Sequence, residues 1–238
     1  MREQRPVSER KRILYHGATA AVIAGLILYG TLVLKGGHYY AISICVILTG
    51  ILGGMLTFES GRPSTGMLTC VAIFTVMAVL SRMILAAVPQ VKPIAAVVIL
   101  GGIALGREAG FMIGMLSMFL SNFTFMQGSW TPFQMFAMGL VGYFGGVFFH
   151  EKKATVVRML WVTVYGFASV LILYGGIVDI NTVFFAMGEN PTETGVWSVY
   201  LAGIPFDLIF AQTTALILLL LYRPVMDIWN RIRTKYEL

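Results

Sequence analysis

The chain has very little charge. Only 12% of its 238 residues are Asp, Glu, Lys or Arg, whereas 58% are hydrophobic and the mean hydropathy is +0.81. A soluble globular protein of this composition would leave large apolar areas in water, so that class is excluded. Several apolar runs approach twenty residues, the length that crosses a bilayer. The sequence therefore predicts an all-α integral membrane protein.

The sequence also lacks the short motifs of common enzyme classes. It contains no Walker-type glycine loop, no HExxH, no CxxC and no nucleophile elbow, and it has only two cysteines and three histidines. No residue pattern indicates a catalytic group, a metal site or a cofactor. We therefore expect that the chain itself is not an enzyme.

Gly, Pro and charged residues divide the apolar runs into eight candidate spans. These are residues 13–34, 39–58, 66–88, 94–105, 109–125, 132–149, 154–176 and 196–222. The fourth is too short to cross straight, because its helix would reach about 18 Å against a hydrocarbon core of roughly 30 Å. We expect it to be packed within the bundle or extended by its flanks. The longest connection is expected at residues 177–195, and the first run is interpreted as a retained span, not a signal peptide.

Basic residues are distributed very unevenly between the two sides of this topology. With a cytoplasmic N-terminus, the outside segments hold only Lys35 and Lys92. The inside segments hold fourteen basic residues: Arg2, Arg5, Arg10, Lys11, Arg12, Arg62, Arg107, Lys152, Lys153, Arg158, Arg223, Arg231, Arg233 and Lys235. This bias predicts that both termini are cytoplasmic, and it supports the count of eight spans.

Three stretches, taken in order, resemble one transporter family. They are FESGRP at 58–63, SRMILAAVPQVKPIAAVVILGGIALGREAGF at 81–111 and SNFTFMQGSWTPFQMFAMGLVG at 121–142. The C-terminal segment from Gly203 also resembles that group's last helix and basic tail. The family is that of the S components, the substrate-binding membrane subunits of energy-coupling factor (ECF) vitamin transporters.

The resemblance implies a six-helix core at residues 66–222, which captures a vitamin or related micronutrient near its outer face. A two-helix extension at 13–58 precedes this core, with basic cytoplasmic tails at 1–12 and 223–238. The implied partners are a transmembrane scaffold subunit and two cytoplasmic ATPases in the cell membrane of a prokaryote. The sequence of the third stretch and the presence of the extension most resemble cobalamin-type S components. Riboflavin, pantothenate and a queuosine precursor are alternative substrates, and a membrane scaffold or signalling protein without a ligand is the alternative of another class.

Polar and aromatic residues gather at the expected outer turn between the fifth and sixth spans. Trp130 and Phe133 are suited to stacking on a ring system, and nearby amides and hydroxyls to bonding its polar edge. A competing interpretation makes Trp130 an interfacial residue and Thr131-Pro132 a helix start. The predicted substrate-binding residues are Arg82, Lys92, Asn122, Gln127, Trp130, Thr131, Phe133, Gln134 and Asp207.

Arg82 and Asp207 are the ionisable residues deepest in the spans. Counted from the inner span ends, Arg82 lies about 24 Å deep and Asp207 about 22 Å deep at helical rise. A charge at such depth usually finds a partner inside the protein. We therefore predict a pair or a shared polar network between Arg82 and Asp207.

Small residues suggest two helix-packing surfaces. In S components a small-residue motif on the first core helix docks onto the scaffold, and the resemblance implies Gly66, Cys70 and Ala72 for this role. A second series consists of Gly102, Gly106, Gly110 and Gly114. Internal helix packing is the preferred interpretation of that series.

Overall fold

The computed structural model describes residues 9–32, 38–150, 155–188 and 191–236. This part of the chain is helical and contains no β-strand, which confirms the all-α fold. A π-helical segment, Ser169–Tyr174, joins α7 and α8 into one rod. The helices are α1 (Glu9–Leu32), α2 (Tyr39–Ser60), α3 (Thr65–Ile84), α4 (Ile94–Leu105), α5 (Arg107–Phe125), α6 (Thr131–Phe149), α7 (Val156–Ala168), α8 (Gly175–Met187) and α9 (Glu193–Tyr236).

Helix lengths and composition agree with a multi-pass membrane protein. Among the described residues, five helical stretches are long and apolar enough to cross a bilayer. Helix α4 is shorter, and all twelve of its residues are buried. It contacts α3, α5, α6, α7 and α9. The prediction that the short fourth span is packed within the bundle is confirmed.

Helices α4, α5 and α6 touch through their backbones. A Cβ atom on Gly110 would lie 2.7 Å from the Cα of Gly102 and 2.7 Å from the carbonyl carbon of Gly142. A Cβ on Gly114 would lie 2.8 Å from the backbone nitrogen of Gly139. Only residues without a side chain permit helices to approach this closely. The glycine series therefore serves internal packing.

The first two helices form one side of the bundle. Helix α1 packs along α2, and α2 packs on α5 and α6. Two glycines of α2 make this contact, because Gly50 faces the ring of Phe136 and Gly54 faces the ring of Phe111. The extension is thus attached to the core through aromatic rings inserted against glycines.

The predicted loop at residues 177–195 is wrong over most of its length. The helix that was expected to end at 176 continues through the π-helical segment to Met187, and α9 begins at Glu193. Two polar residues of the predicted loop lie within α8 and are partly or fully buried. A Cβ on Gly203 of α9 would meet the Asp179 carboxylate at 2.8 Å, and Asn181 is buried. Glu189 and Asn190 lie outside the described residues.

Helix α9 extends well beyond a single crossing. It has 44 residues and contains Pro205 and Pro224. The segment predicted as a separate basic tail continues the same helix, and its Met226 and Trp229 are buried.

We call the end of the bundle that carries this tail, Arg62 and Arg107 the basic end, and the end that carries residues 126–130 the polar end. Arg2, Arg5, Lys35, Lys152 and Lys153, which were used for the orientation, lie outside the described residues.

The glycine contact predicts a strong response to one added methyl group. Gly142→Ala would place a Cβ 2.7 Å from the Gly110 carbonyl carbon, so α5 and α6 would have to move apart. Overpacking of this kind costs about 1–3 kcal/mol. The matched control is Gly176→Ala, because a Cβ there meets nothing within 4 Å. We expect a lower thermal unfolding midpoint for Gly142→Ala only, and equal midpoints for both variants would contradict the close contact.

Candidate functional site

Arg82 is the centre of a polar network at the polar end. It lies in the last turn of α3 and is only 6% exposed. Its Nη1 donates hydrogen bonds to Ser121 Oγ and to Asn122 Oδ1, the latter at 2.9 Å. Its guanidinium carbon lies 4.4 Å from the centre of the Phe125 ring. These contacts compensate part of a buried charge, since Arg82 Nε is buried with no hydrogen-bond partner, and they hold the end of α3 against α5.

Asn122 continues the network from α5 to α6. Its Nδ2 donates to Gln134 Oε1 at 2.9 Å and to Thr131 Oγ1 at 3.2 Å. Thr131 in turn donates to Gln127 Oε1 at 2.9 Å. Gln127 Nε2 donates to the Phe119 carbonyl at 2.9 Å. Five of the predicted site residues therefore form one hydrogen-bonded group, which comprises Arg82, Asn122, Gln127, Thr131 and Gln134.

The two predicted aromatic residues lie in different surroundings. Trp130 is half-buried, and its ring lies over Gly128, where a Cβ would come within 2.6 Å of ring atoms. Phe133 is 0% exposed and packs in an apolar cluster with Ile47 and Ile51 of α2 and with Phe111 of α5. In this structure Trp130 is thus the aromatic side chain of the turn that a ligand reaches more easily.

Lys92 lies in the connection between α3 and α4. Its Nζ donates to Gln90 Oε1 at 2.8 Å and lies 5.9 Å from the Phe210 ring of α9. Burial first and the positive charge of Arg82 second lower the pKa of the Lys92 ammonium to about 8, while the charge of Asp207 acts in the opposite direction. Lys92 therefore lies within electrostatic reach of both deep ionisable residues.

We predicted a pair or a shared polar network between Arg82 and Asp207, and the direct pair does not form. Arg82 donates to α5, whereas the Asp207 carboxylate lies against Gly175, where a Cβ would be 2.9 Å from its carboxyl carbon. Depth was counted along each helix from its inner end. It did not give the direction in which each helix presents them.

Asp179 is a polar residue of this region that the sequence analysis did not select. It faces Gly203 of α9, just as Asp207 of α9 faces Gly175 of α8. Both helices carry the same pattern, a glycine followed four residues later by an aspartate. That repeated spacing was the available signal, because residues four apart lie on one helix face. Tyr200 strengthens the same interface, and its hydroxyl donates to the Gly176 carbonyl at 2.9 Å.

The three predicted docking residues do not share one exposed face of α3. Gly66 and Cys70 are half-buried, whereas Ala72 is exposed. Cys70 and Ala72 are about 200° apart around the helix. Cys70 lines a small cavity together with Trp229 of α9. Ala72 instead belongs to an exposed apolar stripe, whose other members are Leu68, Ile73, Val76, Met77 and Leu80.

The network predicts the outcome of a charge exchange. Arg82→Asp should lower the folded yield, because the bonds to Ser121 and Asn122 are lost and two acceptors are left facing a carboxylate. The double variant Arg82→Asp with Asp207→Arg should recover no more protein than Arg82→Asp alone. The folded yield is measured by size-exclusion chromatography after detergent extraction, with Arg231→Gln on the exposed tail as the charge-loss control. Recovery in the double variant would contradict the geometry described above.

The family model of the ECF-type riboflavin transporter S component matches residues 62–226. The match extends from the α2–α3 turn into the last part of α9, so it covers α3 to α8 and omits α1 and α2. The comparisons with curated proteins and with solved structures gave no match. S components are substrate-binding membrane subunits of transporters that work with a scaffold and ATPases, and they are not enzymes. Because the family model matches well over half of the chain, the chain belongs to the family of S components of ECF-type riboflavin transporters.

Proposed function

We propose that this chain captures riboflavin, or a closely related flavin, for an ECF-type uptake transporter. The observation that carries the proposal is the family match over residues 62–226, which includes every predicted site residue at the polar end. The polar network adds the chemistry of a ligand site: an apolar bundle with a small number of amide, hydroxyl and charged groups at one end.

Riboflavin replaces cobalamin as the preferred substrate. The prediction of cobalamin rested on the sequence of one stretch and on the presence of two extra helices, whereas the family model names riboflavin. The flavin ring is flat and carries an imide edge, and its side chain carries hydroxyl groups. A stacking aromatic and several amides suit such a ligand. Cobalamin, pantothenate and a queuosine precursor are the competing ligands.

We assign roles in this proposal by the groups that each residue can offer. Trp130 stacks on the flavin ring, and Gln127, Gln134, Asn122 and Thr131 exchange hydrogen bonds with its edge. Lys92 donates to a ligand carbonyl, Asp207 accepts from a hydroxyl, and Arg82 holds Asn122 in position. Phe133 supports the turn from the apolar cluster below it. Because the amides bond one another in this structure, a ligand replaces existing hydrogen bonds instead of satisfying empty ones.

The proposal predicts a bound flavin and a loss of affinity in two variants. Protein purified from its native membrane should carry riboflavin that mass spectrometry identifies, and added riboflavin should bind in preference to cobalamin and pantothenate. Trp130→Ala should weaken binding about fivefold, because an aromatic contact contributes on the order of 1 kcal/mol beyond buried area. The double variant of Gln127 and Gln134 to Ala should also weaken binding.

The matched control for Trp130 is Trp161→Ala, since Trp161 is an exposed residue of α7 outside the network. Unchanged affinity in both site variants would favour the competing interpretation, in which Trp130 is an interfacial residue and Thr131-Pro132 starts a helix. A cobalamin-loaded protein would reverse the choice of substrate. Protein that is repeatedly empty and ignores every vitamin would favour a membrane scaffold or signalling protein.

The proposed function also predicts partners. The chain should co-purify with a transmembrane scaffold subunit and two ATPases, and both termini should be cytoplasmic. We propose that the scaffold packs on the exposed apolar stripe of α3, where Ala72 is the small residue that permits close approach of a helix in lipid. Gly66 and Cys70, which are half-buried, would support this face from behind.

Pull-down from native membranes tests the partner proposal. Ala72→Trp should reduce recovery of the scaffold, whereas Ala202→Trp, at an exposed position of α9, should leave recovery unchanged. Isolation of the chain alone, in detergents that keep other ECF complexes intact, would count against the assembly. Equal recovery with both variants would place the scaffold on another face.

A further inference from the structure

A cavity lies at the basic end, far along the bundle from the polar network. Its volume is about 640 Å³, within the range of small-molecule sites. Its walls are turns and helix ends, not helix middles. Among the lining residues are Arg62 and Ser64 of the α2–α3 turn, Gly106 and Arg107 of the α4–α5 turn, and Val147 and His150 at the end of α6.

The cavity is lined by the connected ends of α2 and α3, which leave a gap between them. Both helices pack on α5, but they make little contact with each other beyond their connecting turn. Leu56 of α2 lies about one turn from the basic end and is 50% exposed. Exposed leucines at this position contact lipid chains in a membrane protein. Apolar surface that faces lipid therefore lies within about one helical turn of the cavity.

The cavity carries uncompensated positive charge. Arg62 is exposed, and the described residues provide no hydrogen-bond or ion-pair partner for its guanidinium. Arg107 Nε lies 3.5 Å from the carboxylate of Glu108, which also lines the cavity and offsets part of the Arg107 charge. The Ser64 Oγ accepts a hydrogen bond from the Met67 backbone, so its own hydrogen is free to be donated to a ligand. An arginine without a partner and a hydroxyl donor suit a phosphate group.

We propose that this cavity binds the phosphate of an anionic phospholipid from the leaflet at the basic end. Arg62 and Ser64 hold the phosphate, Arg107 adds positive charge, and the acyl chains lie along α2 against Leu56. Basic pockets between transmembrane helices recognise anionic headgroups in this way. The gap favours a lipid over a soluble phosphate, because only a lipid fills the apolar and the charged part together. The site is independent of the vitamin at the polar end.

The test is retention of phosphatidylglycerol by the detergent-purified protein, measured by native mass spectrometry over a lipid titration. Arg62→Gln should weaken binding about fivefold, the equivalent of about 1 kcal/mol per basic residue near the membrane surface. Val147→Trp should also weaken binding, because it fills the cavity without changing its charge. Arg231→Gln removes an equal charge from the exposed tail and should have no effect.

Three results would overturn the proposal. Equal retention by the wild type, Arg62→Gln and Val147→Trp would show that the lipid binds elsewhere. Equal retention of zwitterionic phosphatidylcholine would reduce the site to an apolar gap. If inorganic phosphate at millimolar concentration displaces the lipid and raises the unfolding midpoint in an Arg62-dependent manner, the ligand is a soluble phosphate and not a lipid.

Discussion

The backbone contact among α4, α5 and α6 determines the rest of the architecture. In lipid, helices gain nothing from burying apolar side chains against one another, so close packing has to hold them together. Gly102, Gly110 and Gly142 supply that packing, because their backbones meet with no side chain between them. A twelve-residue helix that cannot cross the bilayer alone is thereby enclosed on every side. The same contact fixes α5 and α6 so closely that a short turn connects them.

The polar network follows from this closeness. Asn122 near the end of α5 lies within hydrogen-bond distance of Thr131 and Gln134 because the two helices below the turn cannot separate. Arg82 then has a preorganised acceptor to reach from α3. A buried arginine without such an acceptor would cost several kcal/mol. The membrane-embedded charge therefore depends on the glycine contact, although no glycine touches it.

Some of this structure could be predicted from the sequence and some could not. The enclosure of α4 followed from its length, and the cluster of Asn122, Gln127, Thr131 and Gln134 followed from their spacing across one turn. The direct pair of Arg82 with Asp207 was wrong because depth along a helix says nothing about its rotation. The loop predicted at 177–195 includes Asp179, and a single sequence does not show that Gly203 of another helix accommodates this aspartate. Helical periodicity alone, in contrast, could have predicted that Cys70 and Ala72 lie on opposite faces of α3.

The two ends of the bundle differ in how their polar groups are satisfied, and this difference bears on movement. At the polar end Thr131 donates to Gln127 and Asn122 donates to Gln134, so a ligand has to exchange those bonds before it can use these groups. The exchange would loosen residues 126–130 but not the glycine contact beneath them. Met126 in that turn has φ +74°, a conformation that costs a residue with a side chain of the order of 1–3 kcal/mol and that neighbouring contacts must hold. Ligand-dependent change at this end should therefore be confined to the turn and to the end of α3, with the α4–α5–α6 unit as the fixed frame.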